Sequence, residues 1–579
     1  MLRRLSPLFW VLLGSCVMAQ KLYAQTAGVD AGSLLQEFKA RPMQPNLAPP
    51  SKRLTEEPKV SPPPPPGGLS VKLVSVDIEG DLHAFSKEEL LAVVADEIGK
   101  TLNLAQLQAL AERLTKFYHD HGFMMSRAVL PAQDVTEGHV RIVVLEGSAD
   151  SREPVRIRGD GLRLNRSFAA DVMKQALGSG PLTELALERG SLLLSDIPGV
   201  SATSSLEPGD EPGSVRVVIN AAEDKITSGS ITLDNTGPRS TGADQLGMNL
   251  AISDPLGLGD QTSLNLKTSP DGGEAFGALG YSLPLGDSGL RLIANASHLQ
   301  YRAIGSLAAA QATGSADEQS LNLRYPLIRS RLDNLWLSIG LDNKQLINKA
   351  SGLETSNRGV QSYVLGINGD RSDPLDGSIF WWSANGTLGQ LDLDANANDL
   401  ASDQGATGAR TQGEFLKLSV SAGYSVQLDN YWSLMLTGMG QLANKNLGTS
   451  EKIIIGGPFG VRAYPVGEGQ GDEGLRLSAE TRYSMLRSAM LGEFSLLGLL
   501  DWGHIRQYVN PGRIVMTSPN TYDLAGAGLG VMLSKSKAYE FRVTWVHALG
   551  SDSGLTASGT NNDGSYRVSR LWANLDVPF

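Results

Sequence analysis

The chain has 579 residues, a formal net charge of −11, 41% hydrophobic and 19% charged residues, and 65 glycines. So much apolar surface excludes a wholly disordered chain, and the acidic balance argues against a nucleic-acid partner. Low charge, many glycines and middling hydropathy fit a large all-β protein, including a membrane barrel whose strands meet lipid on one side only.

Arg3 and Arg4 precede a mostly apolar run, residues 8–18. That run is shorter than the about 20 residues a bilayer-spanning helix needs. Val17-Met18-Ala19 and Ala24-Gln25 offer signal-peptidase sites, so residues 1–24 are predicted to be a signal peptide. Leu13-Gly14-Ser15-Cys16 offers the alternative of a lipid anchor on Cys16. Cys16 is the single cysteine, and a chain cut after residue 24 has neither a disulfide nor a thiolate metal site. No later stretch reaches 18 apolar residues, so a membrane passage requires a closed barrel.

Residues 25–41 are predicted to hold a short amphipathic helix over 30–40. Leu34, Leu35 and Phe38 share its face, and Lys39 and Arg41 suit the dipole at its end. Residues 42–68 are a Pro-rich spacer with five consecutive prolines, Pro62 to Pro66.

Residues 69–148 read as an α/β module. Val74, Val76 and Ile78 alternate as a strand, and Ser86 to Glu89 is a capping box. Leu107, Leu110, Leu114 and Phe117 make a helical stripe ended by Gly122, and strands follow at 124–130 and 139–146. His119 and His121 flank Asp120, either as a metal clip or as a plain helix end. A weaker copy fills 149–223, with Val155 and Ile157, then Phe168, Val172 and Ala176, then helix 185–194 and strand 215–219. A repeat of this length implies two like modules in tandem.

From 224 to 579 the helical stripes give way to segments of about 10 residues with alternating hydrophobicity. Leu246-Gly247-Met248-Asn249-Leu250 and Arg542 to His547 are examples, and the chain ends on Phe579. The length permits about 16 strands of a transmembrane barrel. Seven of the eight tryptophans fall here, as an interfacial girdle requires. Gly286-Asp287-Ser288-Gly289 reads as a hairpin turn rather than a protease motif. Neither a nucleophile elbow nor a phosphate loop appears, so no enzyme, cofactor or metal site is expected.

Short strings carry a family resemblance. They are Tyr118-His119-Asp120-His121-Gly122-Phe123, Ser126-Arg127-Ala128, Leu130-Pro131-Ala132-Gln133, Glu137-Gly138 and Glu146-Gly147. Later come Gly460-Val461-Arg462-Ala463-Tyr464 and Leu499-Leu500-Asp501-Trp502-Gly503. In this order the chain resembles the two-partner secretion transporters, the haemolysin or adhesin secretion/activation proteins. The resemblance implies an outer-membrane pore of mainly β structure. It has about 16 strands, two periplasmic polypeptide-transport-associated (POTRA) domains and a plug helix in the pore. Its partner is a secreted exoprotein, unfolded in the periplasm and moved without nucleotide hydrolysis. Tyr118, Arg127, Pro131 and Gln133 are implied to recognise cargo. Val461, Arg462, Tyr464, Asp501 and Gly503 are implied to form a lumen site in which Arg462 pairs with Asp501. Ala463 stands where the family has Gly, and Ala disfavours a left-handed backbone. An outer-membrane insertase is the rival reading; such proteins usually carry more periplasmic modules.

Overall fold

Residues 29–39, 70–211 and 213–579 are described by the structure, a computed structural model. The signal segment, Cys16 and the Pro-rich spacer lie outside the described residues. Helix α1, Ala31–Lys39, starts one residue later than predicted. Asp30 caps it, accepting from the backbone N–H of Gly32 (2.7 Å) and Ser33 (3.0 Å).

The first α/β unit has a three-stranded sheet. His139–Leu145 lies between Ser75–Glu79, parallel to it, and Arg127–Val129, antiparallel to it. Helices α2 (Lys87–Val94) and α3 (Leu104–Asp120) cover the sheet. Ser86 and Glu89 form the predicted capping box at the start of α2. The stripe of α3 differs from the prediction. Leu107, Leu110, Ala111, Leu114 and Tyr118 are buried, while Phe117 is only partly so. Position 118 follows 114 by four, one full helical turn, and so faces the sheet. The strand predicted at 124–130 shrinks to Arg127–Val129, because Ser126 closes a turn onto the Phe123 carbonyl.

The second unit has the predicted strand, two helices and closing strand, with one further strand, Val200–Pro208, that was not predicted. It contains Val155–Arg158, helices α4 (Arg166–Leu177) and α5 (Glu184–Ser195), and strands Val200–Pro208 and Ser214–Glu223. The backbone N–H of Leu182 bonds Gly147 O (2.8 Å) and that of Glu184 bonds Gly122 O (3.0 Å), joining the two units.

The rest is a closed barrel of sixteen strands, from Thr227–Asp234 to Ser569–Pro578, with each strand antiparallel to its neighbours. Those two strands pair with each other, from Ser230↔Pro578 to Asp234↔Asn574. The alternation is visible on Asp333–Ala350: Ile339 and Leu341 are exposed to the outside, while Gly340, Lys344 and Leu346 face inward and are buried. Residues 285–290 form a turn between Glu274–Pro284 and Arg291–Arg302, with the Leu285 N–H on Leu290 O (2.8 Å). The tryptophan girdle is only partly realised. Trp432, Trp502 and Trp545 are exposed, but Trp336 lines an interior cavity and Trp572 points to the lumen loop.

Candidate functional site

Strands Trp432–Ala443 and Glu473–Ser488 are joined by residues 444–472, which fold into the barrel instead of standing above it. A small hairpin, Ile453–Ile454 with Gln470–Gly471, narrows the loop's neck. The tip carries Val461, Arg462, Ala463 and Tyr464, all buried.

Arg462 is the centre of the site. Its Nε donates to Asp501 Oδ2 (2.8 Å) and its Nη2 to Asp501 Oδ1 (2.7 Å), a fork-to-fork pair. Its backbone N–H also reaches Asp501 Oδ2 (3.1 Å). The pair named from the resemblance is therefore formed. Three partners were not foreseen. Nη1 donates to Glu480 (2.9 Å) and Nη2 to the Ser478 hydroxyl (2.9 Å). Arg542 also donates to Glu480. Trp572 Nε1 donates to the Arg462 carbonyl (2.7 Å). The tip is thus tied directly to three strands, and through Glu480 to a fourth. The available signal was the spacing of Ser478 and Glu480, two residues apart on a strand and so on one face.

Apolar packing complements the charges. Val461, Ala463 and Tyr464 share a cluster with Ile455, Leu497, Leu499, Tyr522, Leu524 and Val546. Gly503 faces inward. A Cβ there would stand 3.1 Å from both Ile455 Cδ1 and Val461 Cγ2, so the glycine clears room for the loop. Ala463 does not adopt a left-handed backbone, and its methyl packs over Gly526. The departure from the family's Gly is accommodated without strain.

The neck has its own charge cluster, which sequence reasoning missed. Buried Glu451 is bridged by Lys344 and by Lys417 (2.8 Å). Lys452 meets Asp472 (2.7 Å) and lies 4.2 Å from the Tyr508 ring centre. Asp472 also accepts from the backbone N–H of Leu447 (3.0 Å) and Val509 (2.9 Å).

Helix α1 lies against this neck and the inner wall. Thr449 Oγ1 donates to Asp30 (2.8 Å), and the Ala31 N–H donates to Asn348 (2.9 Å). Ala31, Leu34 and Leu35 pack on Leu299, Tyr301, Ala316 and Leu346. Phe38 stacks on Phe276 with ring centres 4.2 Å apart.

The four residues expected to recognise cargo lie in the first α/β unit, apart from the barrel site. Tyr118, expected among the cargo-recognising residues, is fully buried, so its own side chain is not on the surface. Its hydroxyl donates to Glu146 (2.8 Å), which also accepts from the N–H of His83 and Ala84. Burial in an apolar cluster, followed by that carboxylate, pushes the phenol's pKa up. Gln133 bonds the N–H and carbonyl of Arg141, capping the sheet where Arg127–Val129 stops. Arg127 is exposed and Pro131 half-buried. His119 and His121 do not converge; each ring meets a backbone carbonyl, of Ser126 and Phe117 respectively.

A sequence model of the haemolysin secretion/activation protein ShlB/FhaC/HecB family matches residues 213–533, more than half of the chain. The chain belongs to this family. A second model, the ShlB-type POTRA domain, matches residues 71–147. The chain is 24% identical over 522 residues to the heme/hemopexin transporter protein HuxB of Haemophilus influenzae, covering 89% of this chain and 90% of that one. It is 26% identical over 424 residues to the outer membrane transporter CdiB of Dickeya dadantii, covering 72% and 73%. CdiB from Escherichia coli, a solved structure, shares the fold with a TM-score of 0.72 at 21% identity, each chain covered in full. The protein is thus a two-partner secretion transporter of the outer membrane. Its POTRA region faces the periplasm, and it acts with a secreted partner protein.

Proposed function

We propose that the barrel is the conduit through which one large haemolysin- or adhesin-like exoprotein passes, unfolded, without nucleotide hydrolysis. Residues 69–148 and 149–223 act as its two periplasmic POTRA domains. Arg127, Pro131 and Gln133 present the cargo-facing surface, with Tyr118 and Glu146 holding it in shape. Helix α1 is the resting plug. The observation that carries this reading is the double occupancy of the lumen: a loop fixed by Arg462 and a nine-residue helix held by lighter contacts. The direct test reconstitutes the chain in liposomes and offers an unfolded partner protein without ATP. Uptake supports the reading, and a strict need for nucleotide rejects it. Deleting 69–147 should abolish export and leave the barrel inserted. Loss of other outer-membrane barrels, with export intact, would instead favour an insertase.

A further inference from the structure

A cavity of about 400 Å³ lies between the second α/β unit and the periplasmic ends of the barrel strands. That is within the size range of ligand sites, roughly 300–1,000 Å³. Its two walls differ in chemistry. Phe168 and Val172 of α4 and Leu193 of α5 make a mostly apolar side with Asp196 at its edge, while the barrel side sets the polar Asn295 and Arg324 among Ile293, Pro326 and Trp336. The wall is fixed in place: Arg329 forks onto Asp196 at 2.7 and 2.8 Å, and Arg189 Nη2 donates to Pro326 O at 2.9 Å.

Arg324 stands out. Its guanidinium lies 4.7 Å from the Trp336 ring centre. Its Nε is buried and has no hydrogen-bond partner. Among the described residues it forms no ion pair. The acids nearest it are already engaged: Asp196 by Arg329, and Asp370 by the Asn334 amide, which donates to it (2.8 Å). The neighbouring Arg291 has its Nη2 on Gly259 O and Ser282 Oγ. A buried donor without a partner is costly. An arginine stacked on an aromatic face keeps its edge donors aimed outward, in the fork geometry that suits a carboxylate.

We propose that this cavity binds an extended segment of exported polypeptide, with Arg324 receiving an Asp or Glu side chain and α4 and α5 receiving its apolar neighbours. The proposal rests on the export reading above and names what one station of that path recognises. Arg324 faces inward, and its chain neighbours Leu323 and Tyr325 face the other side, with Leu323 exposed, so membrane phosphates are on the far side of the wall. An extended chain turns successive side chains to opposite sides. It can therefore offer an acidic side chain to Arg324 and an apolar one to α4 and α5 at once.

The probe is a fluorescein-labelled decapeptide of alternating Leu and Asp, with its Leu/Asn twin, titrated into the full-length protein in detergent and read by anisotropy. The acidic peptide should bind roughly tenfold tighter than the amide twin, as a charge-assisted hydrogen bond supplies. Arg324→Gln should erase that preference while heat-modifiable mobility shows an intact barrel. Arg324→Lys, which keeps the charge and loses the fork, should restore part of it. Equal binding of the two peptides by the wild type, or a preference that survives Arg324→Gln, overturns the site. Neither result touches the liposome uptake test, so this site and the export reading fail separately.

Discussion

Loop 444–472 and helix α1 share one lumen but are held by different forces. The loop is fixed by buried ion pairs at both tip and neck and by an apolar cluster between them. The helix is held by a capped N-terminus, a few hydrogen bonds, one aromatic stack and a short apolar face. Removing one partner of a buried pair costs about 3–5 kcal/mol, whereas losing an N-cap costs about 1 kcal/mol. A nine-residue helix is also too short to persist by itself in water. The contrast separates a strongly fixed loop from a lightly held helix.

The contrast breaks first at Arg462. Arg462→Ala leaves Asp501 buried without its guanidinium, so secretion should fall severely while the barrel still inserts. Asp501→Ala should be milder, because Arg462 keeps Glu480. The double mutant should be little worse than Arg462→Ala, since one contact is lost twice. Culture-supernatant secretion assays with heat-modifiability controls measure all three. Additive losses would show that the two residues act apart.

Gly503→Val tests the loop's packing instead of its charges. Its side chain would press on Ile455 and Val461, and overpacking costs about 1–3 kcal/mol. Partial loss of secretion and a lower melting temperature are expected.

The helix should respond in the opposite sense. A Cβ at Gly32 would stand 2.6 Å from Thr449 Oγ1 and 2.8 Å from the Ser450 nitrogen, so Gly32→Val should push α1 off the loop's neck. Single-channel conductance in planar bilayers should rise, and Asp30→Ala should raise it less, by loss of a cap worth about 1 kcal/mol. Unchanged conductance in both, and after deletion of 26–60, would leave α1 without a plug role.

The smallest effect lies outside the barrel. Asp150 accepts from the backbone N–H of Asp210 (2.6 Å), Glu153 (2.9 Å) and Arg152 (3.0 Å), which hold its carboxyl down at about 2. An unfolded Asp titrates near 3.9. The depressed group therefore stabilises the second unit above about pH 4, and that contribution fades as pH falls toward 2. Hydrogen-exchange protection across 149–223, taken relative to the intrinsic rate at each pH, should fall in that window, and Asp150→Asn should remove that fall.

Local chemistry was legible wherever one residue's neighbours in the chain decide the outcome. The Ser86 capping box, the turn at 286–289 and the alternating barrel strands follow from spacing alone, because caps, turns and period-2 faces are settled within a few residues. Arg462 and Asp501 were paired through the motifs they sit in. Glu480, Ser478, Arg542 and Trp572 were not, because they join Arg462 only when strands distant in the chain are rolled into a closed wall. Phe117 and Tyr118 were exchanged for a related reason. Both fit an apolar stripe, and only the sheet beneath α3 selects which one is buried. Spacing and motif order in the chain already carried the arrangement of α/β units followed by a barrel and the identity of the motif residues. Distant packing decided that the loop folds inward, that Trp572 serves it instead of the membrane, and that the Arg324 Nε is buried without a hydrogen-bond partner. Each of those outcomes depends on which inward-facing side chains the barrel's register sets opposite one another, and no local pattern encodes that register.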